Sequence, residues 1–174
     1  MSRPPEKTPN PLLAAAPWLR QDATQRVLAA IVDGGGEARI VGGAVRNTLL
    51  GHPAKDIDIA TSVPPGTVME RAARAGLHAI PTGIDHGTVT VVVDGHPFEV
   101  TTLRVDVETH GRHATVRFGR DWVADAHRRD FTMNALYVAP DGTIHDHVGG
   151  IEDCLARRVR FIGDADRRIA EDSL

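Results

Sequence analysis

Residues 55–61 read Lys-Asp-Ile-Asp-Ile-Ala-Thr, and this stretch decides how the rest of the chain is arranged. Ile57 to Ala60 predicts a strand, and alternate residues of a strand project to one face. Asp56 and Asp58 then stand together, and paired carboxylates can grip hard cations such as magnesium, which takes oxygen ligands. Two ions held there can activate an attacking hydroxyl and neutralise a leaving pyrophosphate during in-line displacement at phosphorus. Alone, an Asp-x-Asp is more often a solvated turn, so the neighbouring residues must carry the reading.

Upstream, Arg39 to Val41 predicts a short strand that runs into Gly42-Gly43, followed by a brief helix over Ala44 to Leu50. Two glycines between strand and helix leave backbone N–H groups open to phosphate oxygens. Arg46 can add a charge-assisted contact to the same triphosphate. Before them, Val27 pairs with Ile31 and Leu28 with Val32 at helical spacing, behind an Asp22 cap and ahead of Gly34-Gly35-Gly36. Residues 1–22 carry Pro4, Pro5, Pro9, Pro11 and Pro17, cannot form a continuous helix, and are expected to be an extension or loose arm.

Downstream, Pro64-Pro65 opens a helix that Gly76 closes. Thr88 to Val93 and Phe98 to Leu103 are β-forming runs joined through Asp94-Gly95, a hairpin signal. A neighbouring antiparallel strand would bring Glu99 beside the aspartates, to complete metal coordination or to deprotonate an acceptor hydroxyl. Arg104 to Arg120 is polar and reads as a mobile loop. A helix over Val123 to Arg129, strands at Ala135 to Val138 and Thr143 to His145, a short helix at Ile151 to Ala156 and a strand at Val159 to Ile162 complete the pattern. Strands outnumber long helices, so the expected fold is α+β, a mixed and largely antiparallel sheet with flanking helices.

Arg128-Arg129-Asp130-Phe131-Thr132-Met133-Asn134 sets two guanidinium groups beside a carboxylate, an alcohol and an amide. Arg129 can hold phosphate, while Asp130 or Asn134 can read a ribose hydroxyl. A helix cap at Asp130 and a turn at Asn134 account for the same residues equally well.

Composition sets the outer bounds. The 174 residues suit one domain with a real core, and acidic residues outnumber Lys plus Arg by 23 to 20, so no overall basic excess advertises nucleic acid. The lone Cys154 excludes an internal disulfide and a cysteine-rich zinc site, and reads as a small buried hydrophobe. The nine histidines show no i, i+4 pair on a firm helix, and Trp18 with Trp122 offers no platform for stacking single-stranded RNA. No apolar run approaches the ~18 residues of a membrane span and no signal peptide opens the chain, so a soluble cytoplasmic protein without a membrane partner is expected.

Four stretches together resemble a known family. Val41 to Arg46, Lys55 to Thr61, Phe98-Glu99-Val100-Thr101-Thr102-Leu103-Arg104, and Asp125 to Leu136 are similar, in this order, to motifs of the class II group. That group comprises the tRNA nucleotidyltransferases that add CCA ends and the bacterial poly(A) polymerases, which share a polymerase-β-like head. The resemblance implies Gly43 and Arg46 at the triphosphate, Asp56 and Asp58 on magnesium, Glu99 assisting them, and Arg129 with Asp130 at the bound nucleotide. It also implies ATP and CTP as substrates and a tRNA 3′ end as acceptor. Asn47 departs from the pattern, since the family more often has Asp after this arginine. On this likeness the head spans 23–162. Residues 163–174 look like the start of a helical neck, whose base-selecting residues are expected beyond Leu174, in keeping with a fragment of a larger protein. CCA addition, poly(A) addition, and nucleotide or RNA binding without transfer all remain open.

Overall fold

The computed structural model describes residues 8–110 and 113–163, those at 106–110 and 113–116 by backbone alone. Two single-turn helices come first, α1 (Pro11–Ala14) and α2 (Pro17–Arg20), each with a proline at its first position, where no N–H is required. Asn10 caps α1 by accepting from the backbone N–H groups of Leu12 and Leu13. Leu13 and Leu19 are 0 % and 1 % exposed. From Pro11 onward the segment is therefore packed core and not a loose arm. The prolines break it into two turns, and each turn still delivers a leucine to the interior.

Next come α3 (Asp22–Val32), β1 (Ala38–Val41), α4 (Gly43–Leu49), β2 (Asp58–Thr61), α5 (Pro65–Arg74) and β3 (His78–Gly83). They are followed by β4 (Thr88–Val93), β5 (His96–Thr102), β6 (Arg104–His110), β7 (His113–Phe118), α6 (Trp122–His127), β8 (Leu136–Val138), β9 (Ile144–Asp146) and α7 (Gly150–Leu155). Gln21 occupies the capping position of α3, so Asp22 adds a carboxylate to the first turn instead of capping it.

Seven strands form one sheet in the order β3-β4-β5-β2-β1-β8-β9. All neighbours are antiparallel except β2 and β5, which run parallel with Asp58 opposite Glu99. The chain reaches β5 from β2 through α5, β3 and β4, and this crossover returns it to the β2 edge in the same direction. Glu99 thus meets Asp58 across a parallel pair, not the antiparallel one the hairpin signal suggested.

Two strand regions depart from the sequence expectation. β3 contains Pro81 and an irregular register between Ile80 and Gly83, which an edge strand tolerates and which hides it from a periodicity reading. The supposed loop at 104–120 is largely the β6–β7 hairpin, a separate two-stranded sheet. Its polar composition obscures the alternation of Val105 and Val107 with Asp106 and Glu108. Residues 159–162 form no sheet strand; they pair with residues 130–132 through a single Phe131–Phe161 bridge. The expected neck helix lies outside the described residues apart from Gly163.

Alternation along the strands splits the interior in two. Ile40, Ile59, Val89, Val91, Phe98, Val100, Leu136 and Val138 face the main core, which takes in α3, α5 and the buried Cys154. Their neighbours Val41, Ala60 and Tyr137 face a smaller cluster with Leu103, Ala126, Ala135 and Ile162. The chemistry-bearing residues lie on that second face.

Candidate active site

Asp58 opens β2 with Val41 opposite it on one side and Glu99 on the other. Because Ile59 and Val100 point into the main core, alternation turns Asp58 and Glu99 together to the opposite face. Burial pushes the Asp58 carboxyl above its usual acidity range, the charges of Glu99 and Asp56 push it further, and Arg129 opposes them. Asp56 itself lies exposed before the strand begins. Among the described residues no three His, Cys, Asp or Glu side chains are gathered tightly enough to ligate a metal ion as they stand. What does fit a divalent cation is the chemistry of the set: hard oxygen donors in register, with a half-buried carboxylate whose ionised form is opposed by burial and by like charge.

Asp58 and Glu99 line a cleft of about 220 Å³ together with Arg104, Arg128 and Arg129. The cleft thus joins an acidic pair to three guanidinium groups, an arrangement suited to a polyphosphate carrying a metal ion.

Arg128 and Arg129 are oriented by Asp125, a residue the motif contains but to which sequence reasoning gave no role. Asp125 is 1 % exposed; its Oδ1 accepts from Arg128 Nε at 2.9 Å and its Oδ2 from Arg129 Nη2 at 3.1 Å. Tyr137 donates its hydroxyl to the same Oδ2 at 2.7 Å and accepts from Arg129 Nε at 3.2 Å. Burial alone would raise the Asp125 carboxyl, but Arg129 and Arg128 outweigh it and hold the group below the usual carboxylate range. Burial also raises the Tyr137 phenol, which stays protonated and able to donate. The Asp–Arg spacings of three and four residues on one helical turn were a readable signal for the pairs. No local spacing marks Tyr137.

The remaining candidates form a second group beside the first. Gly42 follows Val41, the residue opposite Asp58, and adopts φ +83°, ψ −129°, a conformation reserved to glycine. Arg46 donates from Nη1 to Asn134 Oδ1 at 2.8 Å and from Nε to Asn47 Oδ1 at 3.1 Å. A neutral amide oxygen at residue 47 thus still holds this arginine. Asn134 donates to Asp130 Oδ1 at 3.3 Å, and the same oxygen accepts from the Phe131 N–H. Arg46, Asn134 and Asp130 are therefore one hydrogen-bonded chain, and Gly43 lies beside its Arg46 end, where an added Cβ would come within 3.4 Å of Nη2. None of the four lines the cleft that holds Asp58, Glu99 and Arg129.

A mixed sheet thus carries an acidic pair in register and arginines across one cleft, the layout of a domain that handles a charged phosphate ligand. Residues 38–160 match the model of the poly A polymerase head domain, and the chain belongs to that family. It is 48 % identical over 139 residues to mitochondrial CCA tRNA nucleotidyltransferase 1 of Danio rerio, covering 79 % of this chain and 32 % of that protein. Against the CCA-adding enzyme of Geobacillus thermodenitrificans it is 48 % identical over 142 residues, 80 % of this chain and 34 % of the relative. The fold matches the Bacillus stearothermophilus CCA-adding enzyme in complex with CTP, with TM-score 0.77, 40 % identity, and coverage of 87 % and 35 %. It also matches a tRNA nucleotidyltransferase complexed with a primer tRNA and an incoming ATP analog, with TM-score 0.63, 27 % identity, and coverage of 79 % and 39 %. The chain spans about a third of the length of these curated relatives. No helix among the described residues is long and apolar enough to cross a membrane.

Proposed function

We propose that this chain is the catalytic head of a CCA-adding tRNA nucleotidyltransferase, which transfers CMP and AMP from CTP and ATP to the tRNA 3′ hydroxyl and releases pyrophosphate. The observation that carries the reading is the in-register pairing of Asp58 with Glu99 in the cleft that Arg129 shares. Asp56 and Asp58 would hold two magnesium ions, which supply Lewis-acid stabilisation of the charge on phosphate and on the leaving group. Glu99 lies beside Asp58, placed to complete that coordination or to accept the acceptor hydroxyl's proton. Arg129 neutralises triphosphate charge from the other side of the cleft. The Gly42 N–H, expected to face phosphate, instead donates to the Leu136 carbonyl at 3.3 Å; Gly43 is left to offer its backbone N–H to phosphate, and Arg46, released from Asn134, joins it. Asp130 and Asn134 then read the ribose. The head takes in α1 and α2 as well as the expected 23–162, since Leu13 and Leu19 belong to its core, the neck follows from 163, and the protein works in the cytoplasm; relatives carry both mitochondrial and bacterial names.

The test is incorporation by the full-length gene product on a tRNA lacking its CCA end. Use of CTP with a stop after one terminal A supports the reading. Unlimited ATP addition instead assigns a poly(A) polymerase, the activity in the family's own description. Magnesium-dependent triphosphate binding with no transfer by the full-length protein leaves only a binding module.

A further inference from the structure

Asp125 is fully enclosed, pairs with two of the three arginines of the cleft, Arg128 and Arg129, and has no part in the roles assigned above. We propose that Asp125 and Tyr137 are positioning residues for the triphosphate, which lock Arg129, and through Asp125 also Arg128, in the orientation that lines the cleft. This rests on the nucleotide-transfer reading of that cleft. Asp125, Tyr137 and Arg129 form a closed ring of hydrogen bonds, since the tyrosine hydroxyl donates to the carboxylate and accepts from Arg129. Asp125 grips Arg129 by its Nε and Nη2, which leaves Nη1 outside that grip in a side chain that lines the cleft.

The ring is braced from behind. Trp122 stands edge-on to Tyr137, with centroids 5.3 Å apart and planes at 84°, and the Arg39 guanidinium lies 4.0 Å over Trp122. Two long arginine side chains therefore have much of their rotamer freedom removed before a ligand arrives, which favours binding by preorganisation. The carboxylate between them also relieves repulsion between adjacent guanidinium groups.

Calorimetric titration of the full-length protein with ATP, CTP and AMP in magnesium tests this. Asp125→Asn is expected to weaken ATP and CTP alike by about 10-fold while AMP changes less than about twofold. Tyr137→Phe keeps the ring against Trp122 and removes only the hydroxyl; the same pattern at about threefold is expected. Should Asp125→Asn fail to fold, Tyr137→Phe decides. Equal weakening of ATP and AMP, or no weakening of either, overturns the positioning role while the transfer reading stands. If the unsubstituted chain binds neither ATP nor CTP, the transfer reading falls and takes this inference with it.

Discussion

Asp58 and Asp125 both feel Arg129, yet their acidities move in opposite directions. At Asp58 burial, Glu99 and Asp56 prevail, so the folded-state pKa exceeds the unfolded one; its contribution to stability is full at low pH and is lost as pH rises through the folded value. At neutral pH the ionised group is therefore a cost. Asp58→Asn should raise the melting temperature in metal-free buffer while cutting transfer by the full-length enzyme at least about 10²-fold. Magnesium should raise the melting temperature of the wild type and leave the variant unmoved; equal gains in both would remove Asp58 as a ligand. At Asp125 the arginines prevail, so its contribution is present above the ordinary carboxylate pKa of about 4 and fades as pH falls through the lower folded value. Asp125→Asn should cost about 3–5 kcal/mol at pH 7 and flatten the acid limb of the stability profile, as urea titrations across pH would measure. The candidate residues were legible because their types advertise phosphate and metal chemistry. Asp125 carries no such signal, because a carboxylate beside two arginines reads locally as an ordinary helix pair.

Among the elements, two glycines separate conformational strain from steric collision. A Cβ on Gly42 would meet nothing nearer than the Asn134 carbonyl oxygen at 3.8 Å, so only its φ of +83° forbids a side chain. Gly42→Ala is expected to cost about 1–3 kcal/mol and to misalign α4, which carries Arg46. A Cβ on Gly150 would instead run into the Thr132 carbonyl, where α7 packs on the 3-10 turn at Thr132–Asn134. Gly150→Ala should force the two apart and cost more than Gly42→Ala, and the ranking is read from denaturant midpoints. An inverted ranking would mean that α7 yields easily. The strand before Gly42 and the helix after it were readable from short-range signals, whereas β3 and the β6–β7 hairpin carry proline or charge that mask their period.

Across the whole molecule, stability and chemistry occupy opposite faces of the sheet. Leu13 from α1 and Leu19 from α2 close the main core, away from the cleft. Leu13→Ala is expected to cost about 2–5 kcal/mol, yet to leave the ATP dissociation constant within about twofold below the melting transition. Calorimetry of the variant at low temperature checks this, and a large loss of affinity would mean that the two faces are coupled.

By itself the sequence determined the α+β class, the order of the motifs and the residue types at the site, because these follow from short-range rules: alternation along a strand, glycine before a helix, carboxylates two residues apart. Tertiary structure decided which of them meet. Glu99 faces Asp58 only because a crossover makes β5 parallel to β2, Arg46 reaches Asn134 across 88 residues, and Tyr137 closes on Asp125 because β8 lies beside β1. The N-terminal turns joined the core for the same reason. Register and burial are properties of paired segments, and no single segment carries them.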